Sequence, residues 1–129
     1  IGLGFGQGIF SGIICNILVC LGVLMAAGAK DITGKILGCF FPVMAFVCGG
    51  FEHCVANMYY IPAGLLALSN PSYAAKAMEL YGYTSQQLAN LNIGSMFMNL
   101  LPVTIGNIIG GGIFIGAAYY LIYARKKSA

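Results

Sequence analysis

An apolar segment of 33 residues, Ile36 to Leu68, carries an adjacent carboxylate and imidazole, Glu52-His53, near its middle. Ionisable groups at membrane depth cost about 3 kcal/mol or more and mark transport paths or proton relays. Directly before them stand Gly49 and Gly50. Paired glycines weaken a helix at that point. A continuous helix over the whole segment would be about 50 Å long, against a hydrocarbon core of about 30 Å. The segment is therefore expected to be broken. Pro42, Gly49-Gly50 and Pro62 are the candidate break points, and only the glycine pair is followed by charge. The expected form is a half-helix from about Ile36 to Cys48, an irregular turn over Gly49 to Glu52, and a second half-helix to about Leu66.

The rest of the chain fits a membrane setting. It is 60% hydrophobic and 7% charged, with mean hydropathy +0.89. A soluble domain carries about a quarter charged residues. Residues 1–29 contain no charge, which is enough for a span at about 8–27. A third span is expected over about 95–123, kinked at Pro102 or starting there. Gly4/Gly8, Gly8/Gly12, Gly106/Gly110 and Gly112/Gly116 each lie four apart, the spacing that lets two helix backbones approach closely. Residues 69–92 form the one polar region, with a short interfacial helix expected over Tyr73 to Tyr81 and a helix start at Thr84 or Ser85. The chain is thus expected to be a single all-α transmembrane unit of three spans, the middle one a broken helix (about 36–66, interrupted near 49–52). It opens at Ile1-Gly2-Leu3-Gly4 with no initiator Met, which suggests a piece of a longer protein.

The basic residues set the orientation. Arg125, Lys126 and Lys127 at the tail and Lys30 and Lys35 in the first turn share one side of a three-span chain. The positive-inside rule puts that side, and the C-terminus, in the cytoplasm. This charge is an orientation signal and not a nucleic-acid footprint. The five cysteines match no zinc spacing and read as buried small hydrophobes. No cofactor or metal is expected.

Three stretches in order resemble the formate/nitrite transporter family: Cys15-Asn16-Ile17-Leu18-Val19-Cys20-Leu21, Gly50-Phe51-Glu52-His53-Cys54-Val55-Ala56-Asn57-Met58, and Pro102-Val103-Thr104-Ile105-Gly106-Asn107-Ile108-Ile109-Gly110-Gly111. The resemblance is to the second half of that family's protomer. It implies one inverted repeat of a six-span, aquaporin-like protomer in a homopentamer, set in the plasma or inner membrane. It further implies a channel or carrier for small monovalent weak-acid anions such as formate, nitrite or hydrosulfide, and not an enzyme. His53 matches the central pore histidine, Phe46 an aromatic at the outer hydrophobic constriction, and Asn16 and Asn107 amides near the pore. The first repeat lies outside this chain, with the loop threonine that partners the histidine. So does a lysine just before the fourth span.

The residues carry chemistry of their own. A free histidine changes charge in the physiological range, so His53 can attract an anion when protonated or hand it a proton. The plainer reading is a core histidine satisfied by one hydrogen bond. Glu52, about 100° away on any helix, is read as structural. It would accept hydrogen bonds from amides freed at the break, or pair across a subunit interface. Asn16 and Asn107 serve either as interhelical hydrogen bonds or as pore lining. Two other classes stay open: a membrane enzyme using Glu52 and His53, and a non-transporting membrane subunit.

Overall fold

The structure, a computed structural model, describes residues 2–124. Everything described is helix, turn or connecting chain, in agreement with an all-α class. The first helix, α1 (Phe5–Gly28), runs for 24 residues without interruption. Asp31 then caps the next helix by accepting the Gly34 N–H at 2.8 Å. This cap draws Ile32 to Lys35 into α2 (Ile32–Cys48), so the turn expected over residues 30–35 is only a few residues long.

Helix α2 stops at the glycine pair, and the two glycines serve different ends. Gly50 has φ +66°, the left-handed conformation that only glycine adopts at little cost. Its N–H bonds to the Val47 carbonyl at 3.1 Å, and the Phe51 N–H reaches back to Phe46 at 3.0 Å. That paired pattern is the Schellman helix stop. Gly49 instead makes room, since a Cβ there would lie 2.6 Å from the Phe51 ring. The helix resumes as α3 (Cys54–Leu68), with His53 as its N-cap. Pro42 and Pro62 sit inside α2 and α3 and break neither. Pro42 is buried against α1, where Gly22 leaves space for its ring.

Short capped helices follow. Asn70 and Pro71 start α4 (Pro71–Tyr81), two residues earlier than the tyrosine pattern suggested, because proline at the first helical position needs no N–H partner. Gly82, at φ +67°, ends it. Thr84 and Gln87 form a capping box for α5 (Ser85–Ala89). Asn92 and Ser95 cap α6 (Ile93–Asn107), which contains Pro102. The helix continues through wider π-type turns over Ile108–Ile115 and Tyr120–Ala124.

Helix α1 is the centre of the packing, flanked by α2 on one side and by α6 with its continuation on the other. Small residues make the α1–α6 seam. A Cβ on Gly12 would lie 2.7 Å from the Val103 carbonyl oxygen. One on Gly106 or Gly110 would collide with the carbonyls of Ile9 and Ile13. Gly8 meets Pro102 and Val103. The spacing argument does not extend to every pair: Gly4, Gly112 and Gly116 have only their own helix nearby, and Gly111 packs against Asn16 instead. The seam buries Cys15 and Val103 completely. Most large apolar side chains point outward, among them Phe10, Leu66 and Met98, as suits helices surrounded by lipid or apolar protein. Cys39 and Cys48 are exposed, against the expectation that every cysteine is buried, although the Cys39 thiol still reaches the Gly22 carbonyl of α1 at 3.9 Å. The basic tail on which the orientation argument leaned lies outside the described residues.

Candidate pore site at the helix break

Breaking a helix inside an apolar segment frees backbone groups that must find partners. Here side chains of α1 and α6 take them. The Glu52 N–H donates to Ser11 Oγ at 2.9 Å, and the Cys54 N–H donates to Asn107 Oδ1 at 3.1 Å. The Asn107 amide nitrogen donates to the carbonyls of Gly12 (2.9 Å) and Glu52 (3.2 Å). Asn107 is 4% exposed, so this one side chain ties α1, the break and α6 together out of reach of solvent. Asn16 completes the arrangement from α1. Its amide donates to the Asn107 backbone carbonyl at 2.6 Å, where α6 passes into its wider turns. Asn16 and Asn107 thus both hold broken and irregular segments by hydrogen bonds.

Glu52 and His53 diverge. The Glu52 carboxylate accepts from the amide of Asn57, in a very close contact, and from that of Asn99 at 3.3 Å. The Asn57 amide also donates to Asn99 Oδ1 at 2.8 Å, which closes a triangle. Glu52 was expected to accept from freed backbone amides or to pair across a subunit interface; within the chain side-chain amides hold it, and the Glu52 and Cys54 N–H groups go to Ser11 and Asn107. Neither residue lies on a helix, so their separation comes from the extended turn and not from helical geometry.

His53 caps α3. Its Nδ1 accepts the N–H groups of Val55 (3.2 Å) and Ala56 (3.4 Å). A nitrogen accepting such bonds carries no proton, so the neutral ring presents Nε2–H outward. The N-terminal end of α3, which favours negative charge, is the end that His53 caps. The Phe46 ring lies beside the imidazole, with centroids 5.8 Å apart and planes at 41°. The two meet across the interruption between the end of α2 and the start of α3.

The structure therefore gathers His53 with Phe46 on one side of the break, and Glu52 with Asn57 and Asn99 on another. Asn107 stands between α1 and the break, with Asn16 one turn further along the seam. Glu52, Asn57, Tyr60, Tyr83 and Gln87 border a cavity of about 630 Å³. Ser11, Asn57 and Asn99 were not singled out from sequence. Each is a lone polar residue in an apolar run, the same signal that exposed Asn16 and Asn107. No group of three or more metal-ligating side chains occurs among the described residues.

The chain was compared with known proteins. A family model described as "Formate/nitrite transporter" matches residues 1–121. The chain is 40% identical over 124 residues to an "Uncharacterized transporter YrhG" of Bacillus subtilis, covering 96% of this chain and 39% of that protein. It is 42% identical to a "Probable formate transporter" of Methanothermobacter thermautotrophicus (96% and 38%) and 36% identical to "Formate channel FocA" of Escherichia coli K12 (95% and 43%). A solved structure described as "Pentameric formate channel with formate bound" superposes with a TM-score of 0.78 at 41% identity, covering 95% of this chain and 48% of that one. The chain thus spans about two fifths of the length of these curated relatives.

Proposed function

We propose, from the premise that this chain belongs to the formate/nitrite transporter family, that it supplies one half of a membrane pore for small monovalent weak-acid anions such as formate, nitrite or hydrosulfide. The observation that carries this reading is the pairing of His53 with Phe46 at a helix break whose backbone is satisfied internally. An anion entering an apolar constriction loses hydration at large cost. At this break it meets an Nε2–H donor and a helix N-terminus, both of which favour negative charge. His53 holds the anion by that hydrogen bond, or takes a proton from the aqueous side on its ring, giving up its Nδ1 caps, and passes one proton to the anion, which crosses the apolar path as the neutral acid while the ring returns to its neutral form. Phe46 narrows the path next to it. Asn16 and Asn107 shape the pore wall by fixing the break, and Gly49, Gly50 and Glu52 keep the break in form.

In this reading the chain forms three spans of a plasma or inner membrane protein, with the Lys30/Lys35 turn and the C-terminus in the cytoplasm. The spans are one inverted repeat of a six-span protomer that assembles as a homopentamer. The pentameric relative, a formate channel with formate bound, supports both the assembly and the ligand class. An enzyme built on Glu52 and His53 is disfavoured by geometry, because the two side chains bond to different partners and form no dyad. A purely structural subunit would need no histidine beside an aromatic at the break.

Flux of formate, nitrite and hydrosulfide into vesicles holding the complete protein tests this. Uptake is expected to rise as the external pH falls, because crossing as the neutral acid consumes a proton. His53→Ala is expected to lower flux and flatten that rise. Unchanged flux and pH dependence in this variant would sink the histidine's role, and no flux of any of the three anions would sink the channel.

A further inference from the structure

Among the described residues only two polar or charged residues are buried, Asn107 and Asn99. The first is accounted for by the backbone of the break. Asn99, 8% exposed on α6, bonds to no backbone group. Its Nδ2 donates to Glu52 and its Oδ1 accepts from Asn57, so both hydrogen bonds its side chain makes go to the carboxylate and to that carboxylate's other donor. Burying an amide in this way is costly unless the contact matters to the site, since leucine would pack there without desolvation.

We propose that Asn99 is a positioning residue of the pore, holding the Glu52 carboxylate on the Asn57 side of the break and away from the His53–Phe46 face. The inference rests on the pore reading above. A negative charge beside His53 would repel an anion and compete for its Nε2–H. Glu52 is adjacent in sequence to His53, and the extended turn allows its side chain to swing. What prevents this is the pair of amide donors on one carboxylate oxygen, one from α3 and one from α6. The titratable neighbours are His53, the thiols of Cys15 on α1 and Cys54 on α3, and the phenols of Tyr60 and Tyr83 across the cavity. Among the described residues the donors to this carboxylate are the amides of Asn57 on α3 and Asn99 on α6.

The test uses the complete protein in vesicles, with two readouts. In the first, Asn99→Ala is expected to lower formate flux about tenfold, the size of one lost hydrogen bond to a charged group. In a Glu52→Gln background the same change should have little further effect, because there is no charge left to restrain. Equal losses in both backgrounds would mean that Asn99 only supports the fold, and the proposal would fail. Asn99→Ser, which keeps a shorter donor, is expected to fall between wild type and alanine and guards against a misfolded alanine variant. The second readout is modification of Glu52 by a hydrophobic carbodiimide, followed by mass spectrometry. Labelling should be faster in Asn99→Ala and Asn99→Ser than in wild type, and equal rates would overturn the proposal. If the wild-type protein carries no anion at all, the pore reading fails, while the labelling comparison still decides whether Asn99 holds Glu52.

Discussion

Truncating Asn107 to alanine removes three side-chain hydrogen bonds at once, to Gly12, Glu52 and Cys54, and leaves buried backbone groups without partners. Each such group costs about 1–3 kcal/mol. Asn107→Ala is therefore expected to lower the thermal midpoint of the detergent-solubilised protein by more than Asn16→Ala, which loses a single bond. A larger loss in Asn16→Ala would show that the break is held from α1 instead. At the same scale, Phe46→Ala opens space next to the imidazole without touching a hydrogen bond. Its expected outcome is faster and less selective flux with stability little changed. Reduced flux would mean that Phe46 positions His53 rather than narrowing the path. Lone polar residues in apolar runs were visible in the sequence, but their partners were not. Asn16, Asn57, Asn99 and Asn107 look alike there, and only the meeting of α1, α3 and α6 shows that one pair holds backbone while the other holds a carboxylate.

The helix break and the glycine seam belong to the scale of elements. Gly50→Ala forces a Cβ into the left-handed region and is expected to cost about 1 kcal/mol. It should act on the stop of α2 and leave the cap of α3 intact. Gly106→Leu is a different lesion, because its side chain would push α6 off the Ile9 carbonyl and spread the seam that Asn107 bridges. It is expected to abolish flux and lower the yield of folded protein, and wild-type behaviour would mean that the close approach is dispensable. Glycine spacing pointed to this seam but overcounted it. Four-residue spacing is necessary for close approach, yet only the opposite helix decides which glycines are used, and among the described residues Gly112 and Gly116 meet only their own helix. Prolines misled in the other direction. Pro42 and Pro62 were possible breaks by chemistry, yet the helices run through them, Pro42 packed on Gly22.

For the whole molecule, the proposed three-span arrangement puts Lys30 and Lys35 on the opposite side of the membrane from Lys76. Amine labelling of sealed, right-side-out vesicles should modify Lys76 and spare the other two. Labelling of all three from one side would break the arrangement. Native mass spectrometry of the complete protein is expected to give five times the protomer mass, and a monomer would remove the pentamer from the proposal. Both experiments concern what this chain joins. A core with few fully buried apolar residues and an outer face of exposed phenylalanine, leucine and methionine is built to be covered.

The sequence by itself determined the all-helical class and the family, because charge-free runs of span length leave the backbone no other way to satisfy itself in lipid, and because three ordered motifs survive in one chain. It also marked Gly49-Gly50 as the weak point, since glycine's freedom is a local property. Tertiary structure alone decided what stands around the break. His53 meets Phe46 across the stop of α2 and the restart of α3, and Glu52 turns away because α3 and α6 each bring it an amide. Hydrogen bonds between residues more than 40 positions apart depend on how helices pack, and no local pattern encodes that.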